Sequence, residues 1–472
     1  MNLSRLRKLK YALPLAALVM ACTATASTAK PTSASAEKSP IKVAILSDCK
    51  GAFAAFYGAD VGGAIMAFVE LTGAKVVNKN DPLKGMKGGA INGHPIKIVG
   101  IGCSNDTADL ALSETKRLME KQKADVMIGP LSGDEGVAVA KYAKLHPTKT
   151  FVNGTSGALD TTMIVRAPNF FRWNADGAQW NAGTGEIAYK KLGWRKAAII
   201  MDDYSFGWTS AAGLIADFCA VGGQITKRVY PPLNTTDYSS YVQQLPPPDT
   251  IDGTFWVVGG TGTAASLTAY EQAYGKLDPK KNIGNLFFAF LGADKVVGPK
   301  VVGSYVGGFG TGPGLKTAQA KTYEKVVARW YPGLNGGNYA DGFVYNYFNA
   351  AWALVQGLTH SNGAVGAALQ KGLPRQLRAG YQVSSGGLVK LDSNRQAIQD
   401  QYPLQVIKNA DGSIGTAIVG FVPNVDQSFA GLFKKSSPPP GRTQPPCVKK
   451  STPWQGKIKV VKNGVITQAV IK

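Results

Sequence analysis

Two short segments of the sequence place hydroxyl groups beside glycines, a combination that can bind an anion. Leu131-Ser132-Gly133 ends the apolar run ADVMIGP, and Gly154-Thr155-Ser156 comes just after the apolar run TFVN. Both segments lie at the ends of predicted parallel strands, where loops meet a cleft. Hydroxyls and free backbone N–H groups at a helix N-terminus can receive a carboxylate. Ordinary capping of the next element is the alternative explanation for these hydroxyls.

Other patterns that could carry chemistry are weaker. Gly260–Ala265 approximates the dinucleotide fingerprint G-x-G-x-x-A, but it lies deep in its series of strands and no carboxylate ends a following strand at the right distance. A tight strand-to-helix turn explains its glycines. Ser156 stands in a loose version of a hydrolase elbow whose final glycine is Ala158 here. The chain has only three histidines, so we expect no catalytic residue, no metal site and no cofactor.

Composition excludes further classes of protein. The chain has 472 residues, of which 44% are hydrophobic and 17% charged, as suits a globular protein with a full core. Part of the net charge of +22 comes from four basic residues before residue 11 and from nine in 434–472, a range without an acid. The remainder is spread thinly, which argues against a nucleic-acid partner. No apolar run reaches the roughly 18–20 residues needed to span a bilayer.

The N-terminus has the three parts of an export signal. A basic stretch precedes the apolar run YALPLAALVMA, and Cys22 follows. Residues 1–22 therefore form the predicted signal peptide. Val19–Cys22 resembles a bacterial lipobox, in which the Cys22 thiol is lipidated, although Met20 is unusual at its position. Ordinary cleavage after Ala26 is the alternative, and residues 23–40 are a predicted flexible tether.

Export implies an oxidising compartment, so the other four cysteines can pair in any of three ways. Cys49 follows the strand-like run IKVAILSD and Cys103 follows IKIVGIG. If those strands are neighbours, the two thiols leave the same sheet edge close together. Cys219 and Cys447 would then pair and tie the C-terminal segment to a helix.

From residue 41 onward, short apolar strands alternate with amphipathic helices in two successive series. This pattern predicts an α/β fold with two Rossmann-like lobes, each built on a parallel sheet covered on both faces. Lobe 1 is predicted to comprise 41–172 and 300–390, with the strand SYVGGFG returning to it, and lobe 2 to comprise 173–299 and 391–433. A basic, Pro-rich tail follows at 434–472, with a hairpin predicted at Asn463-Gly464.

Several segments, taken together and in order, resemble type I bacterial solute-binding proteins of the branched-chain amino acid class, which serve ABC importers. They cover about 41–423 and read IKVAILSDCKGAFAAFYGADVGGAIMAF, VMIGPLSG, TFVNGTSGALDTT, NFFRWNADGAQWNAGTGEIAYKKLGW, AAIIMDDYSFGW, LFFAFLGAD and VSSGGLVKLDSNRQAI. The resemblance implies two lobes, joined by three hinge crossovers, that close over a ligand. It also implies a disulfide at Cys103. The usual partner position holds Ser132 here, and Cys49 is the natural substitute.

The resemblance also implies a set of ligand-binding residues in the cleft. A lobe 1 aromatic covers the ligand, hydroxyls and glycines hold its carboxylate, and lobe 2 contributes an aromatic, a loop position and an acid for the ligand ammonium. In that order these are Tyr57; Ser132, Gly133, Gly154, Thr155 and Ser156; and Phe206, Thr261 and Asp294. Relatives often have Tyr, an aromatic and Glu at the last three positions, so the side-chain pocket need not suit leucine.

The resemblance thus implies an exported, monomeric receptor that catalyses no reaction. It would deliver an amino acid or similar small polar metabolite to an ABC permease in the membrane. The alternative is an extracellular receptor domain that senses a small amide or acid. A fused transmembrane or kinase segment would favour sensing, and the sequence shows none.

Overall fold

The computed structural model describes residues 38–289, 293–308, 314–334, 342–378, 381–383, 387–429 and 431–472. The predicted signal peptide, the lipobox cysteine Cys22 and nearly all of the tether lie outside these residues. Within them, the helical stretch Ala54–Thr72 is long and apolar enough to cross a membrane, but 67% of its most apolar window is buried inside the protein. It is therefore a core helix of the first lobe.

The first lobe is built on a six-stranded sheet in the order β4-β5-β1-β6-β7-β8. All neighbours pair in parallel except β4 and β5, which form a hairpin. Its strands, with a separate small pair (β2 and β3), are β1 (Ile41–Asp48), β2 (Lys75–Val76), β3 (Met86–Lys87), β4 (Ala90–Ile91), β5 (His94–Ser104), β6 (Val126–Ile128), β7 (Thr150–Val152) and β8 (Phe170–Phe171). The helices between them are α1 (Tyr57–Thr72), α2 (Ala108–Lys116) and α3 (Gly133–Leu145), and shorter helical turns span Ala54–Phe56, Pro82–Lys84, Arg117–Lys121 and Thr161–Val165.

The second lobe has a seven-stranded sheet in the order β10-β9-β11-β12-β13-β17-β18. Its first part comprises α4 (Gly177–Trp180), α5 (Thr184–Lys191), β9 (Lys196–Met201), α6 (Ser205–Ala220), β10 (Gln224–Val229), α7 (Ser239–Val242), β11 (Gly253–Val257), α8 (Gly262–Tyr274), β12 (Asn282–Asn285), α9 (Ala293–Val296) and β13 (Tyr305–Gly307), with helical turns at Leu286–Ala289 and Gly298–Lys300. The sequence predicts one helix over 177–192, but Gly183 adopts a left-handed backbone (φ 86°) and divides it into α4 and α5.

The predicted lobe boundary near residue 300 is wrong. The sequence pattern places the run SYVGGFG in the first lobe, but its strand β13 pairs in parallel with β12 and antiparallel with β17, both in the second sheet. The chain therefore leaves the second lobe only after Gly307. The reason is that an apolar run of this length fits either sheet, and the sequence gives no signal for which neighbour it pairs with.

The rest of the chain completes both lobes and adds a third sheet. Its elements are α10 (Ala318–Trp330), α11 (Gly342–His360), α12 (Ala367–Arg378), β14 (Tyr381–Val383), β15 (Gly387–Leu391), β16 (Ala397–Gln401), β17 (Leu404–Lys408), β18 (Ile414–Ile418), β19 (Gly420–Val425), β20 (Lys459–Lys462) and β21 (Val465–Val470). Helix α11 packs against α1 in the core of the first lobe. The third sheet runs β14-β15-β16-β19-β20-β21. The chain passes between the lobes after β8, after β13 and between β15 and β17, which agrees with the predicted α/β fold of two lobes.

Both predicted disulfides are present. Cys49 and Cys103 follow the paired strands β1 and β5, and their Cα atoms are 5.1 Å apart. Cys219 on α6 joins Cys447, with Cα atoms 5.4 Å apart. These distances lie within the range that a disulfide requires. The cysteine pairing predicted from the strand pattern is therefore confirmed.

The C-terminal tail is an integral part of the second lobe. Its predicted hairpin forms as β20 and β21, with Asn463 and Gly464 both at positive φ, as a two-residue turn requires. Strand β20 pairs with β19. Trp454 is 3% exposed and donates its indole N–H to Asp217 Oδ1 at 2.7 Å. The tail thus fills core volume, which its Pro-rich, basic sequence does not reveal.

Candidate functional site

The two lobes meet face to face along the carboxyl edges of their sheets. Gly133 at the start of α3 lies so close to Phe206 on α6 that a Cβ atom built on it would be 2.7 Å from the Phe206 backbone nitrogen. Gly260 approaches Ala52 in the same way, with 2.5 Å from a built Cβ to the Ala52 carbonyl oxygen. Asp134 Oδ1 accepts the Ser205 N–H across the cleft at 3.2 Å. The cleft is therefore closed.

A small cavity lies between the closed lobes. Its lining is dominated by aromatic rings, with two hydroxyl side chains and two glycines among them. The lining residues are Phe53, Leu131, Ser132, Gly133, Thr155, Gly157, Trp180, Tyr204, Phe206, Phe287 and Phe343. None of these described residues carries a formal charge.

Aromatic rings from both lobes form the apolar walls of the cavity. Phe53 from the first lobe lies 5.7 Å from Phe287 of the second, measured between ring centroids. Trp180 and Phe206 lie 5.6 Å apart, and Phe206 is 5.9 Å from Tyr204. These separations are typical of stable aromatic pairs. Rings held in this way give a flat, rigid and apolar binding surface.

The polar part of the cavity comes from the two segments that the sequence singled out. Ser132 is the N-cap of α3, and its own N–H donates to Glu135 Oε2 at 3.3 Å. The first backbone N–H groups of α3 start at Gly133 and lack partners within the helix. Thr155 is 3% exposed, and its hydroxyl has no hydrogen-bond partner among the described residues. A buried hydroxyl of this kind indicates a place for water or ligand.

The structure brings together four of the nine predicted ligand-binding residues. Ser132, Gly133, Thr155 and Phe206 all line the cavity. Ser156, although adjacent, directs its hydroxyl oxygen toward Gly136 of α3, at 1.9 Å from a Cβ built there. Of the residues predicted to hold a carboxylate, Ser132, Gly133 and Thr155 therefore line the cavity.

The other four predicted residues lie elsewhere in this closed structure. Tyr57 is half-buried at the start of α1, where burial and the nearby Glu114 carboxylate raise the pKa of its hydroxyl. Gly154 packs against the ring of Tyr347. Thr261 is exposed as the residue before α8, and Asp294 is partly exposed in α9. Their roles in ligand binding remain predictions.

Sequence reasoning missed most of the aromatic lining. Phe53 lies four residues before Tyr57 in the same loop, so the loop was identified but not the ring that reaches the cavity. Trp180, Phe287 and Phe343 lie far apart in the chain and belong to helical segments. Because an aromatic residue in an apolar run usually fills a core, no local signal separates these rings from the core.

A buried arginine supports both walls of the cavity. Arg172 is fully buried, and its guanidinium donates to the backbone oxygens of Ser156 (3.3 Å) and Ala158 (2.6 Å), in the loop that carries Thr155. It forms an ion pair with Asp176 at 3.6 Å, and Asp176 caps α4, which carries Trp180. Burial lowers the pKa of Arg172 to about 10. One cation between the lobes thus helps to fix a hydroxyl and a ring of the cavity.

A second connection joins Arg172 to the returning chain. Its Nε donates to Gln396 Oε1, and the Arg172 backbone N–H donates to Arg395 at 3.0 Å. Gln396 in turn donates to Gln179 on α4 at 2.9 Å. These contacts cross-link two of the three passages between the lobes. Within the described residues, no group of histidine, cysteine and acidic side chains is placed to hold a metal ion.

Two α/β lobes, closed over an uncharged cavity at the carboxyl edges of their sheets, define a receptor with the type I periplasmic binding protein fold. The sequence model of the periplasmic binding protein family matches residues 40–412. The chain therefore belongs to the periplasmic binding protein family, whose members bind solutes and are not enzymes. The family predicted from the sequence is confirmed.

Solved structures with the same fold include receptors for different ligands. A solute-binding protein of an ABC transporter from R. palustris, in complex with benzoate, is 21% identical, with a TM-score of 0.66, over 82% of this chain and 97% of that chain. A leucine-binding protein from Thermotoga maritima is 17% identical, with a TM-score of 0.63, over 81% and 99%. A branched-chain amino acid ABC transporter protein from Burkholderia xenovorans is 14% identical, with a TM-score of 0.65, over 83% and 97%. No curated protein matches the sequence.

Proposed function

We propose that this protein is the extracytoplasmic solute-binding component of an ABC importer, and that its ligand is a small carboxylic acid with an aromatic or similarly flat, apolar body. The cavity carries this proposal. It combines aromatic rings from both lobes with the Ser132 and Thr155 hydroxyls beside the N-terminus of α3. The family, and the similar structures, which include an ABC transporter protein bound to benzoate, support the transport role.

The chemistry of the lining favours such an acid for two reasons. Apolar ligand surface gains about 25 cal/mol for each Å² that it buries, and rings add stacking interactions. A carboxylate can accept hydrogen bonds from the Thr155 hydroxyl and from the N–H groups of α3, which also favour negative charge. No lysine or arginine is needed for this recognition.

An amino acid is the second candidate, as the sequence resemblance implies and as the leucine-binding neighbour supports. Its carboxylate would use the same hydroxyls and N–H groups. Its ammonium would need an acid, and Asp294, the predicted partner, does not line the closed cavity. A buried ammonium without a partner costs several kcal/mol. We therefore rank an amino acid below an aromatic acid.

Calorimetry with benzoate, 4-hydroxybenzoate and leucine tests this ranking. We expect the benzoates to bind and leucine to bind weakly or not at all. Thr155→Val removes the hydroxyl at nearly constant volume and should weaken benzoate binding roughly 10- to 100-fold, since a hydrogen bond to a charged group contributes about 1.5–3 kcal/mol. Thr322→Val, exposed on α10, is the matched control and should leave the affinity unchanged. Tight leucine binding with no response to benzoate would instead support the amino acid.

The alternative of an extracellular sensor domain uses the same cavity. Transport receives more support, because the similar structures of known ligand come from ABC transporters. Loss of uptake of the labelled ligand in cells that lack the protein would support transport, whereas loss of a transcriptional response with normal uptake would support sensing. The monomeric state and the ABC permease partner are part of this proposal.

We further propose that the mature protein is anchored to the membrane by a lipid on Cys22. The lipobox-like sequence supports this, and two acyl chains on one residue would hold a protein stably at a membrane. The intact mass of the mature protein checks it. A mass that begins at Cys22 and includes a diacylglycerol is expected, and a lipid-free mass that begins after Ala26 would contradict it.

A further inference from the structure

Three buried carboxyl groups meet at the carboxyl edge of the first sheet. Asp48 ends β1, Asp106 follows β5, and Glu135 lies in the first turn of α3. Asp48 and Glu135 are fully buried, and Asp106 is 4% exposed. Asp48 faces the other two, and neither of its oxygens meets a hydrogen-bond donor among the described residues. The partners within its reach are therefore two more carboxyl groups.

Contacts between carboxyl groups require protons. Two carboxylates at hydrogen-bonding distance repel each other strongly in a buried site, so one of each pair must keep its proton. Burial, together with the charges of Glu135 and Asp106, raises the pKa of Asp48 well above its usual range. Burial raises the pKa of Glu135 to about 7. The titration belongs to the group as a whole rather than to one residue.

Among the described groups that interact most strongly with the three carboxyls, none is a cation. Asp60 lies on α1, where it accepts the Ser47 hydroxyl at 2.5 Å. Tyr347 comes from α11, and Asp202 and Tyr204 come from the second lobe. All four become more negative when they lose a proton. Protonation is therefore what neutralises the three carboxyl groups.

Two of the carboxyls also accept hydrogen bonds from first-lobe segments that line the cavity. Asp106 Oδ2 accepts the Ala52 N–H at 2.6 Å and packs against Gly51, which fixes the loop that carries Phe53. Glu135 accepts the Ser132 N–H at 3.3 Å and the Ser104 hydroxyl. Phe53 and Ser132 both line the cavity. A change in the spacing of the carboxyls therefore moves the cavity walls.

We propose that Asp48, Asp106 and Glu135 form a shared proton site that holds the Phe53 and Ser132 walls together and links ligand affinity to pH. When the last shared proton leaves, the like charges separate and the walls move apart. The receptor then binds its ligand most tightly at acid pH and more weakly from neutral pH upward. The link to binding rests on the proposed solute-binding function, whereas the proton site itself does not.

The first test is independent of ligand. The folded-state pKa of Glu135 lies above that of the unfolded chain, so the site stabilises the fold fully at acid pH, and this contribution is lost as pH rises through about 7. We expect the melting temperature of the full-length protein to fall between about pH 4.5, where the unfolded carboxyl ionises, and about pH 7, and to level off above that. Asp48→Asn supplies N–H donors that do not titrate, so it should flatten this fall. Glu135→Gln should do the same if Asp48→Asn does not fold.

The second test measures benzoate affinity over the same pH range. The dissociation constant of the wild type should rise by up to tenfold per pH unit as pH approaches about 7 and level off above it, while Asp48→Asn should stay nearly constant. Asp109→Asn, an exposed residue on α2, is the matched control and should behave like the wild type. Infrared spectra at neutral pH should show a protonated carboxyl band that Asp48→Asn reduces and Asp109→Asn leaves.

The outcomes separate the two proposals. If neither Asp48→Asn nor Glu135→Gln alters the pH dependence of melting, and the infrared band is unchanged, the shared proton site is wrong. If both respond as expected but benzoate affinity does not vary with pH, the link to binding is wrong. If benzoate does not bind at any pH while melting responds as expected, the ligand assignment fails and the proton site stands.

Discussion

Replacing Gly133 with alanine is expected to weaken ligand binding roughly 10- to 100-fold with little change in the free energy of unfolding. The new Cβ would lie 2.7 Å from the Phe206 backbone nitrogen, and a backbone atom of the other lobe cannot move aside without opening the cleft. Overpacking of this kind costs about 1–3 kcal/mol, which is paid only in the closed state. Calorimetry with benzoate and urea unfolding without ligand measure the two effects.

Gly58→Ala is the matched control for this prediction. Gly58 lies in the first turn of α1, close to the loop that carries Phe53, and a Cβ built there meets no atom within 4 Å. Its affinity should equal that of the wild type. If Gly133→Ala binds as tightly as Gly58→Ala, the lobes do not need to approach this closely to hold the ligand. The radius of gyration with saturating benzoate, measured by X-ray scattering, should remain larger in Gly133→Ala than in the wild type.

The largest expected loss of stability follows from Arg172→Met. This change removes the guanidinium that neutralises Asp176, a carboxylate that is fully buried, and breaks its hydrogen bonds to the Ser156 and Ala158 carbonyls. Breaking a buried ion pair by removing one partner typically costs about 3–5 kcal/mol. We expect a decrease of this size in the free energy of unfolding, measured in urea. Benzoate affinity should also fall, because the loop that carries Thr155 loses its anchor.

Two further variants isolate the cause of that loss. Arg172→Met combined with Asp176→Asn leaves no unpaired charge and keeps a capping side chain on α4, so it should recover part of the stability. Arg395→Met is a matched arginine change beside the same strand, where the Arg395 guanidinium donates to the Arg166 and Ala167 carbonyls. It should cost less than Arg172→Met. Equal losses in the two single variants would mean that packing, not the buried charge, dominates.

The sequence predicts best those features that rest on local periodicity and turn chemistry. Helix α3 begins directly after Ser132, whose hydroxyl the sequence marks as a possible cap of the next element. Cys219 and Cys447 are paired in the prediction as the two remaining cysteines, whereas the Asn463-Gly464 hairpin and the Cys49–Cys103 disulfide follow from equally local signals. These features depend on a few adjacent residues or on strands that neighbour each other.

Features that depend on distant contacts could not be predicted in this way. The sheet to which β13 belongs is decided by its partners β12 and β17. The break between α4 and α5 is decided by the left-handed backbone conformation of Gly183. The aromatic lining gathers rings from Phe53 to Phe343, which only the closed lobes bring together. The hydroxyl end of the cavity was predicted because its residues follow two strands, whereas the rings follow no common pattern.

The position of the tail has a consequence for how the protein is made. Cys219 and Cys447 are 228 residues apart in sequence, whereas Cys49 and Cys103 are 54 apart. During synthesis and export, which proceed from the N-terminus, the first bridge can close while most of the chain has not yet emerged. The second lobe cannot complete its core until Trp454 arrives. The second lobe therefore cannot finish folding until nearly the last residues have crossed the membrane. A chain that stops shortly before its end would leave apolar surface of the second lobe exposed to quality-control proteases.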